Sequence, residues 1–246
     1  MVKVGIIGGS GLDDPDIMKD AHEVVVDTPY GKPSSSLTVG KIGEVEVVVL
    51  ARHGKKHDIA PTQVNFRANI QALKDQGVTH ILAATAVGSL RDEMAPGHLV
   101  FPDQAIDFTK QRKMTFFDQD KVVHTPMADP FNSDLRRLLG DTADALGYDN
   151  HKKGTIVTIE GPRFSTRAES FMFIKWGADI INMSTCPEVF LAAEAGIPYA
   201  ATAMSTDYDC WKEEEEPVTF EMVMATMAKN ADKVKKLFVE VVGKIK

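Results

Sequence analysis

Two cysteines, Cys186 and Cys210, are all that the 246 residues contain. They do not lie at metal-ligand spacing, and a chain this long buries a core without staples. Neither a disulfide framework nor a cysteine-based metal site is therefore expected. Basic charge is also in short supply: 28 Lys and Arg stand against 35 Asp and Glu, a net charge of −7. That argues against a general affinity for nucleic acid or an anionic membrane, while leaving room for a local basic pocket. No apolar run nears the roughly 20 residues of a membrane span. Met1-Val2-Lys3-Val4-Gly5 enters a strand without the basic region, apolar core and cleavage site of a secretory signal. Reduced thiols and a cytoplasmic location are the expectation, and the Asn182-Met183-Ser184 sequon is idle in that setting.

Several catalytic signatures are missing too. Gly8-Gly9-Ser10-Gly11-Leu12-Asp13-Asp14 has neither the glycine spacing of a dinucleotide fingerprint nor the Gly-Lys-Ser/Thr ending of a P-loop. No Gly-x-Ser-x-Gly nucleophile elbow and no metal cluster stands out. There is no internal repeat, low-complexity tract or linker composition, so residues 1–246 read as a single domain.

What is present is an alternation of strand-like and helix-like segments, the pattern of an α/β fold. Strands are predicted at 2–7, 24–27, 36–39, 45–50, 78–84, 99–108, 155–159, 179–183 and from Tyr199 onward. Pro61 opens a predicted helix that Gly77 ends, and further helices are predicted over 134–146, 166–176, 187–195 and 220–242. The last has apolar residues at 220, 223, 224, 227, 231, 234, 238 and 241, the spacing of a helix docked by one face. Its Met222, Met224 and Met227 read as core filling. Residues 114–127 read as a loop over the sheet, and Thr85 to Leu90 as a small-residue turn after a strand.

Most of the strands end in short polar or glycine-rich turns, and in an open α/β sheet ligands sit beyond such ends. These turns are of two chemical kinds. Gly9-Ser10-Gly11, Arg52-His53, Thr85-Ala86 and Ser184 suit an anion; the alternatives are a tight turn at the glycines and a solvated basic loop at Arg52. Phe164, Ser165, Asp207 and Asp209 suit a ring, the phenyl by stacking and the others by edge hydrogen bonds. One rim holding an oxyanion beside a heterocycle combines them; the alternative for Asp207 and Asp209 is an ordinary polar strand end.

Five segments carry a resemblance: Gly8-Gly9-Ser10-Gly11-Leu12-Asp13-Asp14, Ala51-Arg52-His53-Gly54, Thr158-Ile159-Glu160-Gly161-Pro162-Arg163-Phe164-Ser165, Asn182-Met183-Ser184 and Thr206-Asp207-Tyr208-Asp209-Cys210-Trp211. In this order and spacing they resemble the 5′-deoxy-5′-methylthioadenosine phosphorylases of the trimeric purine nucleoside phosphorylase class. The resemblance spans nearly the whole chain. It implies a single domain with a mixed, twisted central sheet flanked by helices, assembled as a homotrimer. It also implies phosphorolysis of methylthioadenosine to adenine and 5-methylthioribose 1-phosphate. Inorganic phosphate is then a co-substrate, and no cofactor, metal, nucleic acid or membrane takes part. By matching position, Ser10, Arg52, His53, Thr85, Ala86 and Ser184 would bind phosphate, and Phe164, Ser165, Asp207 and Asp209 would surround the purine. Met183 would lie along the ribose. His124 of a neighbouring subunit, with Phe220 and Val223, would border the 5′-alkylthio group.

The chemistry of that reaction fits the residue types. A phosphate beneath C1′ stabilises the positive charge that develops on the sugar and is itself the nucleophile. The leaving purine needs a proton at N7, which makes Asp207 the candidate general acid and Asp209 the neighbour that tunes it. Desolvation and a nearby like charge both keep a carboxyl protonated. Phosphorylases of 6-oxopurines resemble this chain but carry Asn where Asp207 stands and Glu where Ser165 stands. Asp and Ser here favour a 6-amino purine. The alternative function is a broader purine nucleoside phosphorylase acting on adenosine, inosine or methylthioinosine; a non-catalytic purine- or phosphate-binding protein is a more distant one.

Overall fold

The structure is a computed structural model that describes residues 1–8, 17–119, 121–214 and 219–246, and the side chains of all of these but Phe220 and Lys229. The loop carrying Ser10 therefore lies outside the described residues, as does the Phe220 side chain. Strand β1 (Lys3–Gly8) is buried from Val4 onward because it has a parallel neighbour on each edge and helices over both faces. Those neighbours are β4 (Val45–Ala51) and β5 (His80–Ser89). Outside β4 lie β3 (Leu37–Ile42) and then β2 (Lys19–Val24), both antiparallel. On its other edge β5 pairs in parallel with β11 (Tyr199–Asp207). Short β6 (Leu99–Val100) joins β11 to β8 (Asn150–His151).

The sheet changes direction along β5. Its first residues, His80 to Ala83, pair with β1, but Gly88 and Ser89 pair antiparallel with β10 (Ile180–Asn182). Behind β10 follow β9 (Thr155–Ile159) and β7 (Gln104–Phe108), in parallel. Strands β1 and β10 thus leave one edge of β5 in opposite directions, and among the described residues no strand pairs with Ala84 to Val87 on that edge. The candidate site lies in this fork.

Period-two alternation sorts the core onto the two faces of the sheet. Ile7, Val48, Ile81, Ala83 and Ala201 pack in one cluster with helices α1 (Phe66–Asp75) and α4 (Thr185–Glu194). Their neighbours in sequence, Ile6, Val47, Leu82 and Ala200, pack in another with α2 (Ser133–Ala145) and α5 (Phe220–Val242). A third cluster joins Val157, Ile181 and Phe173, the last from α3 (Arg167–Lys175). The helices begin where side chains satisfy their first N–H groups: Asn65, Asn132, Thr166 and Thr219 each accept from a backbone amide of the first turn.

The mixed sheet flanked by helices is as expected, but five local expectations are corrected. The strand expected over 24–27 lies at Lys19–Val24, an edge strand whose polar residues all face solvent, while Val25 is exposed. Strand β3 runs on to Ile42, so the turn falls at Gly43, whose φ of +58° suits glycine. Pro61 opens only a single 3-10 turn, and α1 starts after Asn65. Thr85 to Ser89 form no turn; they continue β5. The strand expected over 99–108 is two strands, broken around Pro102, which lacks the N–H a ladder needs.

Candidate active site

A cavity of about 470 Å³, within the range of small-molecule sites, opens in the fork. The carboxyl ends of β4, β9, β10 and β11 meet at it, as expected of a shared rim, but they are not all parallel and one strand contributes from its middle. Thr85 and Ala86 reach it from the middle of β5, and β9 and β10 arrive from the opposite direction. Because β10 runs antiparallel to β5, the chain leaving it passes back alongside, and the Ser184 hydroxyl comes 2.9 Å from that of Thr85. Ser184 is also the N-cap position of α4, yet its hydroxyl makes no capping bond and stays with the cavity.

Arg52 follows β4 and also lines this end, although it is buried. Its Nε and Nη2 donate to the two carboxylate oxygens of Glu188, both at 2.7 Å, and Nη1 donates to the Ala84 carbonyl at 3.0 Å. A guanidinium has five N–H groups, so these contacts leave one on each terminal nitrogen for a ligand. Ala84 gives its carbonyl to the fork, so by the alternation of a strand the backbone groups of Ala86 face the same way. Glu188, fully buried, also accepts from the Tyr199 hydroxyl at 2.8 Å. Burial opposes the Arg52 charge, but the attraction and hydrogen bonds of Glu188 outweigh it and raise the pKa above the ordinary guanidinium value. His53 is the reverse case. Burial first, and then the Arg52 charge, push its pKa down to about 4, so the ring is neutral at pH 7. Its Nδ1 lies 3.0 Å from the Ile59 carbonyl, which only accepts, so Nδ1 carries the proton and Nε2 is an acceptor.

Across the cavity, β11 bulges between Ser205 and Asp207 and delivers Asp207 at its end. The Thr206 hydroxyl donates to Asp207 Oδ2 at 2.7 Å, and the Asp209 amide donates to Oδ1 at 2.8 Å. That second bond is an Asx turn, made with Asp209 at φ +49°, a left-handed conformation that Asp tolerates. Burial raises the Asp207 pKa, the two hydrogen bonds oppose it, and the Asp209 charge adds to the rise. Asp209 is itself buried; its carboxylate accepts from Ser170, and from Ser165 at 3.3 Å. Burial raises its pKa too, with the Ser170 hydrogen bond opposing. Gly88 makes the room: a Cβ there would lie 3.0 Å from Asp207 Oδ1 and 3.2 Å from Asp209 Cβ.

Phe164, Ser165 and Met183 line the same cavity, and Met183 lies where a Cβ on Gly161 would meet its sulfur at 2.5 Å. Val223, Met224 and Met227 from the first turns of α5 close the apolar end. The core-filling expectation for the methionines holds only in part: Met222 is exposed and Met224 lines the cavity, while Met227 lines it and also packs against the core. His124 is exposed and is not among the residues lining the cavity of its own chain.

Sequence reasoning missed three buried side chains that hold the site: Glu188, Ser170 and Asn182. In the sequence Asn182 stands out only as part of the Asn182-Met183-Ser184 segment. Its amide touches the hydroxyls of Thr85, Ser184 and Thr185. Among the described residues there is no group of three or more His, Cys, Asp or Glu that would hold a metal ion. The arrangement offers hydroxyl, guanidinium and backbone donors at one end, a protonatable carboxyl opposite, and an apolar mouth beside them.

Comparison with known proteins gives consistent matches. A model of the Phosphorylase superfamily matches residues 3–243. S-methyl-5′-thioadenosine phosphorylase of Danio rerio is 55% identical over 249 residues, spanning 99% of this chain and 89% of that protein. The enzyme of the same name from Xenopus tropicalis is 56% identical over 250 residues, with the same coverage. Among solved structures, methylthioadenosine phosphorylase from Schistosoma mansoni in complex with adenine superposes with a TM-score of 0.94 at 45% identity, covering 99% of this chain and 91% of that one. A point mutant of the Schistosoma mansoni adenosine/methylthioadenosine phosphorylase, in complex with methylthioadenosine, gives 0.93 at 44% identity, with the same coverage.

Proposed function

Because the chain belongs to the Phosphorylase superfamily, we propose that its cavity binds methylthioadenosine and phosphate together and converts them to adenine and 5-methylthioribose 1-phosphate. The observation that carries this reading is the pairing of an anion-suited fork with a buried carboxyl of raised pKa across one cavity. The relatives at 55% and 56% identity bear the name of that reaction, and a structural neighbour holds methylthioadenosine. The broader reading, with inosine-type substrates, is not favoured.

In this reading the Thr85 and Ser184 hydroxyls, the Ala86 backbone and the free N–H groups of Arg52 donate to phosphate, while His53, whose Nε2 is an acceptor, takes the hydroxyl of hydrogenphosphate; Ser10 joins them by the resemblance alone. A phosphate oxygen forms a bond to C1′ as the C1′–N9 bond breaks, and the electron pair leaves with the purine. Asp207 gives its proton to N7, an acid contribution on the order of 10²–10⁴-fold. Asp209 keeps Asp207 aimed through its backbone amide and accepts from the base or from Ser165 and Ser170. The apolar mouth of Val223, Met224 and Met227 takes the 5′-methylthio group, and the resemblance alone assigns Phe220 there too.

The reaction needs no cofactor beyond phosphate as co-substrate. The homotrimer belongs to the proposal, and what supports it is that His124 is exposed and off its own cavity, free to reach a neighbour's. Among the described residues no helix is long and apolar enough to cross a membrane. A cytoplasmic location is part of the same proposal, in keeping with two free thiols.

The test is the loss of adenine-nucleoside absorbance with methylthioadenosine, adenosine and inosine in turn, with and without phosphate. Phosphate-dependent turnover highest on methylthioadenosine supports the reading. Turnover without phosphate, or adenine binding with no turnover, contradicts it.

A further inference from the structure

Five buried polar side chains at the fork form a chain of hydrogen bonds with one direction. It starts at the Cys186 backbone N–H, which donates to Thr158 Oγ1 at 3.2 Å. A backbone amide has no other option, so the Thr158 oxygen is an acceptor there, and the hydroxyl proton goes to its remaining partner, Asn182 Oδ1, at 2.9 Å. That bond settles which way round the amide sits: Nδ2 faces the cavity. It lies 2.7 Å from Thr185 Oγ1, 3.0 Å from Thr85 Oγ1 and 3.3 Å from Ser184 Oγ. Thr158 and Thr185 are essentially inaccessible, and Asn182, Thr85 and Ser184 are each no more than 6% exposed.

We propose that Asn182 is a positioning residue that makes the Thr85 and Ser184 hydroxyls hydrogen-bond donors toward the cavity, and so suits that end to an anion. Both oxygens accept from the amide, so their protons point away from it: one bridges the two hydroxyls at 2.9 Å and that of Thr85 also reaches the Ala86 carbonyl at 3.2 Å, bonds that a phosphate oxygen takes over. Two N–H groups shared among three oxygens bias the whole set in one sense. This is needed because the other groups at this end bring little net charge: Arg52 is offset by Glu188, and His53 is neutral. A carboxylate at position 182 would accept instead and turn the hydroxyl protons inward. The inference rests on the reading of this end as the phosphate site, and its experiment separates the two.

The experiment measures inorganic phosphate binding by calorimetry, and KM for phosphate and for methylthioadenosine, in the wild type and in Asn182→Asp, Thr158→Val and Thr158→Ser, with thermal melts as fold controls. Asn182→Asp reverses the donor at constant shape, and is expected to raise the phosphate Kd and KM by about 10–100-fold, since bonds to a charged ligand are the ones lost. The nucleoside KM is expected to stay within about twofold of wild type. Thr158→Val adds no charge and releases the amide from its fixed orientation. A rise of several-fold in phosphate KM is expected, reversed in Thr158→Ser, which restores the hydroxyl. This pair carries the test should Asn182→Asp fail to fold. Unchanged phosphate binding in Asn182→Asp, equal shifts for phosphate and nucleoside, or identical behaviour of the two Thr158 variants would overturn the inference alone. A wild-type protein that binds no phosphate would overturn the site reading, and this inference with it.

Discussion

Glu188 grips Arg52 through two parallel hydrogen bonds of 2.7 Å, with both side chains buried. A forked contact of this kind fixes the plane of the guanidinium as well as its place, and the plane decides where its free N–H groups point. Arg52→Lys is therefore expected to fail as a conservative change, because an ammonium cannot satisfy Glu188 twice and still face the cavity. Steady-state kinetics should show a higher phosphate KM. Glu188→Ala leaves the Arg52 charge buried without its counter-ion, and a loss of about 3–5 kcal/mol in denaturant unfolding is expected.

His53 should leave a signature in the pH dependence of stability. Its folded pKa of about 4 lies below the ordinary value of 6.5, so between these the unfolded chain binds the extra proton and the folded one does not. Its contribution is complete above pH 6.5 and is lost as pH falls toward about 4. His53→Gln is expected to lose less stability than the wild type over that window, by on the order of 3 kcal/mol at its acid end. Denaturant titrations of both proteins across the window measure the difference.

Asp207 acts as an acid only when protonated, and burial raises its pKa from the ordinary carboxylate value. The chemical step should therefore slow as pH rises through that raised pKa. Asp207→Asn cannot give a proton, and a fall in kcat on the order of 10²–10⁴-fold is expected with methylthioadenosine. Inosine-type substrates should gain relative to adenine nucleosides, because the amide can donate to a 6-oxo group. An unchanged ratio of kcat/KM for the two bases would refute the assignment of Asp207 to the base edge.

Gly88→Ala tests the packing of that edge without removing a polar group. The new methyl would press on Asp207 Oδ1 and on Asp209 Cβ, at 3.0 and 3.2 Å. Nucleoside affinity and kcat are expected to fall by about tenfold each, a cost of the size that overpacking brings. Phosphate binding at the other end should stay as in the wild type.

How far the sequence could be read followed from the range of the physics involved. Period-two and period-3.6 apolar patterns are local, so β1, β4, β9, α2, α3 and α5 fell close to their predicted limits. The polar edge strand Lys19–Val24 has no buried face and hence no pattern to find. Thr85 to Ser89 look like a turn by residue size, and only the pairing of β5 with β11 and β10 makes them strand. Most of the expected cavity residues do line it, because they sit at strand ends that a resemblance or a glycine can mark. Glu188 and Ser170 could not be seen in that way, and Asn182, though inside a marked segment, showed no sign of its role. Glu188 is 136 positions from Arg52, Ser170 is 39 from Asp209, and Asn182 is 97 from Thr85. A buried Glu on an apolar helix such as α4 was the one available signal, since such a charge needs a partner.

The central claim is that phosphate sits in the fork of β5 while Asp207 faces the base across the same cavity. A crystal structure with adenine and phosphate bound tests it most directly. The expected result is phosphate within hydrogen-bond distance of Thr85, Ser184 and Arg52, with the Asp207 carboxyl in contact with adenine N7. Phosphate bound elsewhere, or Asp207 turned away from the base, would contradict it.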